Sequence, residues 1–295
     1  MLTEKQFDVL SLLAEAQKKV SQREMSKITG YSLGTINSII TDLEENGFIS
    51  DGKLLPKAIS ELEPYRVKRI IFIAAGFGTR MLPITLNTPK PLVRVKGQRI
   101  IDSMLDAALD VGIEEIYIVR GYLSEQFDQL LYKYPMIKFI ENPAYNESNN
   151  IASTLCARFL LGNSYICEAD IILKNKKLIR KYQYKSNYCG VPCESTDDWC
   201  LSENKGYITG VTVGGTNGYR MLGISYWTEQ DGKKLANCLE RAYQMPGGKE
   251  RYWDSVPLSI FVNEFKLSIR KCSFEDFDEI DTFSELKKLD PVYDI

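Results

Sequence analysis

The sequence predicts an α/β protein: a mainly parallel, mixed sheet flanked by helices and preceded by a small helical domain. Three observations point to it. From Val67 onward, apolar strand-like runs alternate with helical patterns, as successive βα units do. The first of these strands, Arg69 to Ala74, runs straight into a glycine loop, Ala75-Gly76-Phe77-Gly78. Residues 1 to about 60 instead carry helical periodicity, closed by one short hairpin.

In the N-terminal part, Phe7, Leu10, Leu12 and Leu13 give a first helix its apolar face. Ser21 and Glu24 are spaced as a capping box, so a second helix starts there and ends near Gly30. Ser32 opens a third, in which Ile36, Ile39, Ile40 and Leu43 recur at helical spacing until Gly47. Asp51-Gly52 between apolar pairs predicts a hairpin turn, and the whole resembles a winged helix-turn-helix module over residues 1–60. Its third helix, the reader in such a module, holds no Lys or Arg from Ser32 to Asn46, while Asp42, Glu44 and Glu45 crowd its end. Thr35, Asn37, Ser38 and Thr41 are able to touch base edges, so DNA stays an alternative partner, disfavoured on charge. A regulatory or oligomerisation role is the other reading, and the oligomeric state is left open. Residues 61–67, with Pro64, read as a linker.

In the remainder, 68–295, the strand candidates are Arg69 to Ala74, Glu115 to Val119, Ile137 to Glu141 and Tyr165 to Ala169. Helix candidates are Ile100 to Val111, Ser124 to Tyr132 and Asn150 to Leu161. Ligands of open sheets sit beyond the carboxyl ends of the strands, where the glycine loop lies. There Ala74, Ala75, Gly76 and Gly78 let backbone N–H groups approach phosphate. Arg80 adds a planar charged fork, and Lys90 a mobile point charge. No third glycine stands near Met81 to make a dinucleotide fingerprint, and no Gly-Lys-Ser/Thr makes a P-loop.

The run A-A-G-x-G-T-R, then Pro83, then Thr88-Pro89-Lys90-Pro91-Leu92, resembles the signature of nucleotidyltransferases that activate sugar phosphates and alcohol phosphates from an NTP. The resemblance spans about 68–290 and implies a Rossmann-like, GT-A-like fold. Tyr165 to Asp170 places Asp170 at a strand's carboxyl end, and Asp281 in Asp278-Glu279-Ile280-Asp281-Thr282 is expected to return beside it. Two carboxylates at a triphosphate suggest Mg²⁺, and aspartates at matching places hold the metal in the family resembled. Arg80, Lys90, Asp170 and Asp281 are therefore the expected catalytic residues.

The segment N-P-x-Y-x-x-x-N-N-x-x-S, Asn142 to Ser153, is similar to that of bacterial choline-phosphate cytidylyltransferases and their relatives acting on 2-aminoethylphosphonate. Amide and hydroxyl groups at Asn150 and Ser153 suit the edge of cytosine, which favours CTP. The nucleotide-binding set expected is Ala74, Ala75, Gly76, Gly78, Thr79, Arg80, Lys90, Gly121, Asn150 and Ser153. Trp199, Trp227, Tyr252, Trp253, Asp254 and Glu279 are expected to bind the acceptor, the aromatic faces holding a quaternary ammonium. Phosphocholine thus leads, and a phosphoethanolamine or aminoethylphosphonate comes second. Arg120, before Gly121, departs from the family's usual apolar residue.

Composition narrows the chemistry further. The chain has no histidine, which removes His-based triads and imidazole acid–base catalysis. Its seven cysteines lack C-x-x-C spacing and read as reduced thiols, not zinc ligands. A net charge of −2 gives no sign of a polyanion partner. With no signal-peptide pattern and no long apolar run, a cytoplasmic enzyme without membrane insertion is expected. The expected reaction is in-line attack of the acceptor phosphate on the α-phosphorus of CTP, with pyrophosphate leaving. A sugar-1-phosphate nucleotidyltransferase is the second reading, and a nucleotide-sensing transcription regulator the third.

Overall fold

The computed structural model describes residues 1–16 and 19–294, in two units: 1–67 with Lys181–Tyr184, and 68–180 with 185 onward. In the first, α1 (Glu4–Glu15) and α2 (Gln22–Thr29) each begin with a capping box, Thr3 with Gln6 and Ser21 with Glu24. Gly30 ends α2 in the left-handed region at φ +75°, and Ser32 caps α3 (Leu33–Glu45). Strands β1 (Ile49–Ser50) and β2 (Lys53–Leu54) form the wing, turned by Asp51 and Gly52 at φ +49° and +70°. Leu10, Ile36, Leu43 and Leu62 are fully buried at the centre of this unit.

Two expectations change here. The expected linker 61–67 is partly structured: α4 (Pro56–Leu62), with Pro at its first turn, runs into it and is followed by a 3₁₀ turn, Glu63–Tyr65. The unit also takes in a distant segment. Val67 N–H donates to Lys181 at 2.9 Å, Gln183 N–H donates to Tyr65 at 2.9 Å, and Tyr182 joins the core. Tyr65 and Tyr184 stack at 5.3 Å with Phe7 tilted against both.

The second unit is a seven-stranded mixed sheet with helices and 3₁₀ turns around it. β3 (Arg69–Ile73), β6 (Glu115–Arg120), β7 (Ile137–Glu141) and β8 (Ser164–Glu168) are mutually parallel, in the order β8-β3-β6-β7. Between them lie the hairpin β4–β5 (Arg94–Val95, Gln98–Arg99), α5 (Asp102–Asp110) and α6 (Asn150–Cys156). The expected helix over 124–132 is instead a run of 3₁₀ turns, entered from Leu123 at φ +47°, and the one over 150–161 stops at Cys156. The long strands β10 (Asn187–Asn204) and β11 (Tyr207–Trp227) pair with each other, and β11 runs antiparallel to β8. After α7 (Glu229–Tyr243), β12 (Ser268–Lys271) runs parallel to β10.

The register fixes what meets at the sheet's carboxyl edge. Ile73 lies opposite both Val119 and Glu168, so the glycine loop and the β8 end leave the sheet together. A separate pair, β9 (Ile171–Leu173) with β13 (Phe277–Glu279), brings the last part of the chain to the same edge, and α8 (Phe283–Leu289) comes next. No helix among the described residues is long and apolar enough to cross a membrane.

Because Tyr184 completes the aromatic cluster of the first unit, Tyr184→Ala is expected to destabilise that unit by about 2 kcal/mol. Urea unfolding monitored in the full chain, with Tyr184→Phe as the control that keeps the ring, checks this.

Candidate active site

A cleft of about 390 Å³ opens at the carboxyl edge, lined by the glycine loop, Lys90, the start of α6 and Asp170. The loop's shape is set by its sequence. Gly78 sits in the left-handed region at φ +64°, and a Cβ there would stand 3.1 Å from Thr85 Cγ2 and 3.2 Å from Lys90 Cβ. Thr85 Oγ1 donates to Gly78 O at 2.9 Å, and Tyr122 N–H donates to Ala75 O at 3.1 Å, so the loop is tied by its carbonyls. Among the described residues, the N–H groups of Gly76, Phe77 and Gly78 find no acceptor in the protein. Three neighbouring free amides beside two cations make an anion cradle.

At the floor, Lys90 Nζ donates to Asp170 Oδ2 at 2.8 Å and to Asp281 Oδ1 at 3.0 Å, while Arg80 donates to Asp281 Oδ1 at 2.7 Å. Ile280 N–H donates to Asp170 O at 3.1 Å, which carries Asp281 to Asp170 from far along the chain. Glu285 Oε2 accepts from the N–H groups of Asp281 and Thr282 at 2.8 Å, fixing the turn. Burial by itself would lower the Lys90 pKa, but attraction to Asp170 and then Asp281 outweighs it and raises it, so the ammonium stays charged.

Asp170 Oδ1 is buried and has no hydrogen-bond partner among the described residues. One oxygen each from Glu168, Asp170 and Glu279 lie within 4.8 Å of one another. That trio leaves out Asp281, the expected second metal ligand, whose Oδ1 is taken by Lys90 and Arg80. Asp170 with its unused lone pair and Asp281 with its other oxygen still offer an all-oxygen carboxylate pair, which fits Mg²⁺ better than zinc. Burial, then Asp170, Asp254 and Glu279, push the Glu168 carboxyl well above the usual range; burial and then Asp170 push Glu279 up to about 8. Arg220 answers part of this charge, donating to Glu279 at 2.6 Å and to Asp198 at 2.9 Å.

Asn150 and Ser153 both reach the cleft from α6. Asn150 Oδ1 accepts from Trp253 N–H at 2.9 Å, and Ser153 Oγ accepts from Asn142 Nδ2 at 2.9 Å. Thr79 lines the cleft beside Arg80, and Gly121 does not line it. The expected aromatic box is not assembled. Trp227 and Trp253 are 0% and 2% exposed, packed into the main core, where Trp227 Nε1 donates to Ser225. Asp254 is buried with them and accepts from Tyr188 at 3.0 Å. Tyr252 does face the cleft, and Trp199, half-buried, meets its ring edge-on at 5.5 Å.

The sequence reading did not single out Phe77, Tyr145, Asn149 or Glu168, all of which line the cleft, nor give Asn142 its part. Asn142, Tyr145 and Asn149 lie in the N-P-x-Y run itself, and Glu168 is two residues before Asp170, so spacing from known site residues was the available signal. Arg120 also acquires a reason. It pairs with Glu141 at 2.7 Å and Asp128 at 2.6 Å and lies 3.9 Å from the Phe139 ring centre, tying the β6 and β7 ends together.

A nucleotidyl transferase family model matches residues 69–197, and a winged helix-turn-helix DNA-binding model matches residues 2–50. Over 227 residues the chain is 37% identical to the 2-aminoethylphosphonate cytidylyltransferase of Lancefieldella rimae, covering 76% of this chain and 92% of that one. The chain belongs to the nucleotidyl transferase family. This nucleotidyltransferase is also 31% identical to the choline-phosphate cytidylyltransferase of Streptococcus pneumoniae, over 76% of its own length and 97% of the relative's. The solved structure of that CTP:phosphocholine cytidylyltransferase covers 77% of the chain and superimposes with a TM-score of 0.70 at 32% identity, with 99% of its own chain matched. Solved neighbours at 14% and 15% identity, with TM-scores of 0.61 and 0.62, share the fold of the nucleotidyltransferase unit.

Burial pushes the Asp254 carboxyl up to about 7 from its ordinary 3.8, against the lowering effect of the Tyr188 hydrogen bond. The folded protein therefore holds a proton there that the unfolded chain has shed. That contribution to stability is full below about pH 4 and is lost as pH rises towards 7, by at most about 1.4 kcal/mol per pH unit. Asp254→Asn is expected to lack this slope, so the difference in unfolding free energy between wild type and variant, measured from pH 4 to 8, should change across that window.

Proposed function

We propose that the protein transfers CMP from CTP to a phosphate or phosphonate oxygen of a small acceptor bearing a primary ammonium group, releasing pyrophosphate. 2-Aminoethylphosphonate and phosphoethanolamine are the acceptors of this kind. The observation that carries the reading is the charge pattern of the cleft. Free loop amides, Arg80 and Lys90 form its anion-binding part, and Glu168, Asp170 and Asp281 line its acidic part, with Glu279 and Arg220 behind them. An ammonium answers that acid. The sequence alone favoured phosphocholine, but with Trp227 and Trp253 in the core, Tyr252, backed by Trp199, is what remains of the expected aromatic set at the cleft. That one pair, with the choline-phosphate relative, keeps phosphocholine as the second reading.

In the reaction, an acceptor oxygen attacks the α-phosphorus in line, the bond to the oxygen bridging α- and β-phosphorus breaks, and pyrophosphate carries away the electron pair. No protein nucleophile is needed, in keeping with a chain without histidine. The loop amides and Arg80 hold the departing pyrophosphate. Lys90 places its charge where negative charge grows around the α-phosphate. Asp170 and Asp281 would hold Mg²⁺, which when bound offsets repulsion between two anions. Asn150 and Ser153, braced by Trp253 N–H and Asn142, offer amide and hydroxyl groups to the cytosine edge.

Pyrophosphate release measured with Mg²⁺ and CTP, then UTP, against 2-aminoethylphosphonate, phosphoethanolamine, phosphocholine and glucose-1-phosphate tests the proposal. Turnover with CTP and a primary amine is expected; turnover with phosphocholine alone would install the second reading, and silence with a folded protein would remove the enzymatic one. Lys90→Ala and Asp170→Ala are each expected to lower kcat by at least ~100-fold, the scale of a lost transition-state electrostatic contact. Steady-state kinetics on variants with wild-type circular dichroism check this.

A further inference from the structure

Gly121 ends strand β6, yet it is covered: a Cβ on it would stand 2.6 Å from Tyr145 Cβ, 2.7 Å from Cγ and 3.0 Å from Cδ1. These are the near atoms of the side chain, so Tyr145 cannot swing clear of a methyl group without moving its backbone. That backbone is fixed. Asn142 N–H donates to Arg120 O at 2.9 Å, Ala144 N–H donates to Asn142 Oδ1 at 2.9 Å, and Glu147 N–H donates to Ala144 O at 3.0 Å. The Tyr145 ring faces the cleft, and Phe77, from the glycine loop, tilts against it at 5.5 Å and against Tyr122 at 5.1 Å.

The strand order places this wall. Asp170 comes after β8 and the glycine loop after β3, while Gly121 comes after β6 and Asn142 after β7, in the order β8-β3-β6-β7 across the edge. A triphosphate held by Lys90 and the loop amides over β8 and β3 must direct its nucleoside over β6 and β7. We propose that Tyr145, seated on Gly121 and propped by Phe77, is the stacking surface for the nucleotide base, and that Gly121 is a positioning residue acting through Tyr145 and not a direct contact. An aromatic face recognises the flat ring of a base, whatever its edge groups, and leaves edge recognition to α6. This inference rests on the nucleotide reading of the preceding section.

The test is a double-mutant cycle on CTP binding, measured by calorimetry without acceptor, for wild type, Tyr145→Gly, Gly121→Ala and their double variant, with Tyr145→Ala measured beside it. Tyr145→Ala is expected to weaken CTP about tenfold, and Tyr145→Phe to bind as wild type does. Gly121→Ala should weaken CTP comparably and lower the melting temperature. With Tyr145 cut back to glycine, which removes the Cβ at 2.6 Å as well as the ring, Gly121→Ala should cost little of either. In turnover, KM for CTP should rise with kcat little changed, the mark of binding shared by ground and transition states. Wild-type affinity in Tyr145→Ala would overturn the wall. An undiminished loss from Gly121→Ala on the Tyr145→Gly background would overturn the seating and make Gly121 a direct contact. If the wild type binds UTP and not CTP, the proposed function loses its base while the same cycle run with UTP still decides the wall; binding of neither nucleotide overturns both.

Discussion

The Lys90 ammonium, held between Asp170 and Asp281, is the interaction around which the cleft is organised. It joins three pieces of chain that no local rule brings together: the segment after the glycine loop, the end of β8 and the turn before α8. Two carboxylates this close would repel without it, and without them burial would lower the ammonium's pKa. Removal of the ammonium leaves two carboxylates facing each other with only Arg80 against them, while removal of one carboxylate leaves Lys90 paired with the other. Arg80, two-thirds exposed, takes part only at the rim. The same cluster therefore shapes the site and keeps its reagents charged.

Around that centre the sheet divides its work. The parallel half delivers backbone: free amides after β3, a flat glycine after β6, a turn after β7. The antiparallel half and the late chain deliver side-chain charge, through Arg220 on β11 and Glu279 on β13. Backbone groups stay put as ligands come and go, which suits the part of a substrate common to all reactions of the family. Side-chain charge is easily exchanged between relatives, which suits the part that differs. The same fold with 14% or 15% identity in its neighbours shows how little of the sequence the frame itself requires.

What was legible in the sequence was local or carried by residue type. The capping box at Ser21 acts within one helical turn, and Asp51-Gly52 sets its own backbone angles. The glycine loop, Arg80, Lys90 and Asp170 could be read because charged groups near a glycine turn have few other reasons to be there. Tryptophan offers no such clue. A Trp beside an acid looks the same whether its ring meets a ligand or packs against Phe265, and only the fold of β11 and of the 253–260 segment decides. Asp254 misled for the same reason, since its partner Tyr188 lies on a distant strand. The 61–67 segment read as a linker because Pro64 is a helix breaker inside a helix and a good first-turn residue in a new 3₁₀ turn.

The return of Lys181–Tyr184 to the N-terminal unit has a bearing on how the protein is born. A domain at the start of a chain ordinarily folds as it leaves the ribosome, before the rest of the chain is translated. This one waits. Phe7 and Tyr65 emerge early, but Tyr184, the ring that packs on both, is not made until the parallel strands of the second unit have already been synthesised. The N-terminal unit of this sequence is thus completed only when more than a hundred residues of the second already exist, Lys68–Arg180 among them. A nascent chain arrested before Tyr184 displays an aromatic patch that the finished protein does not.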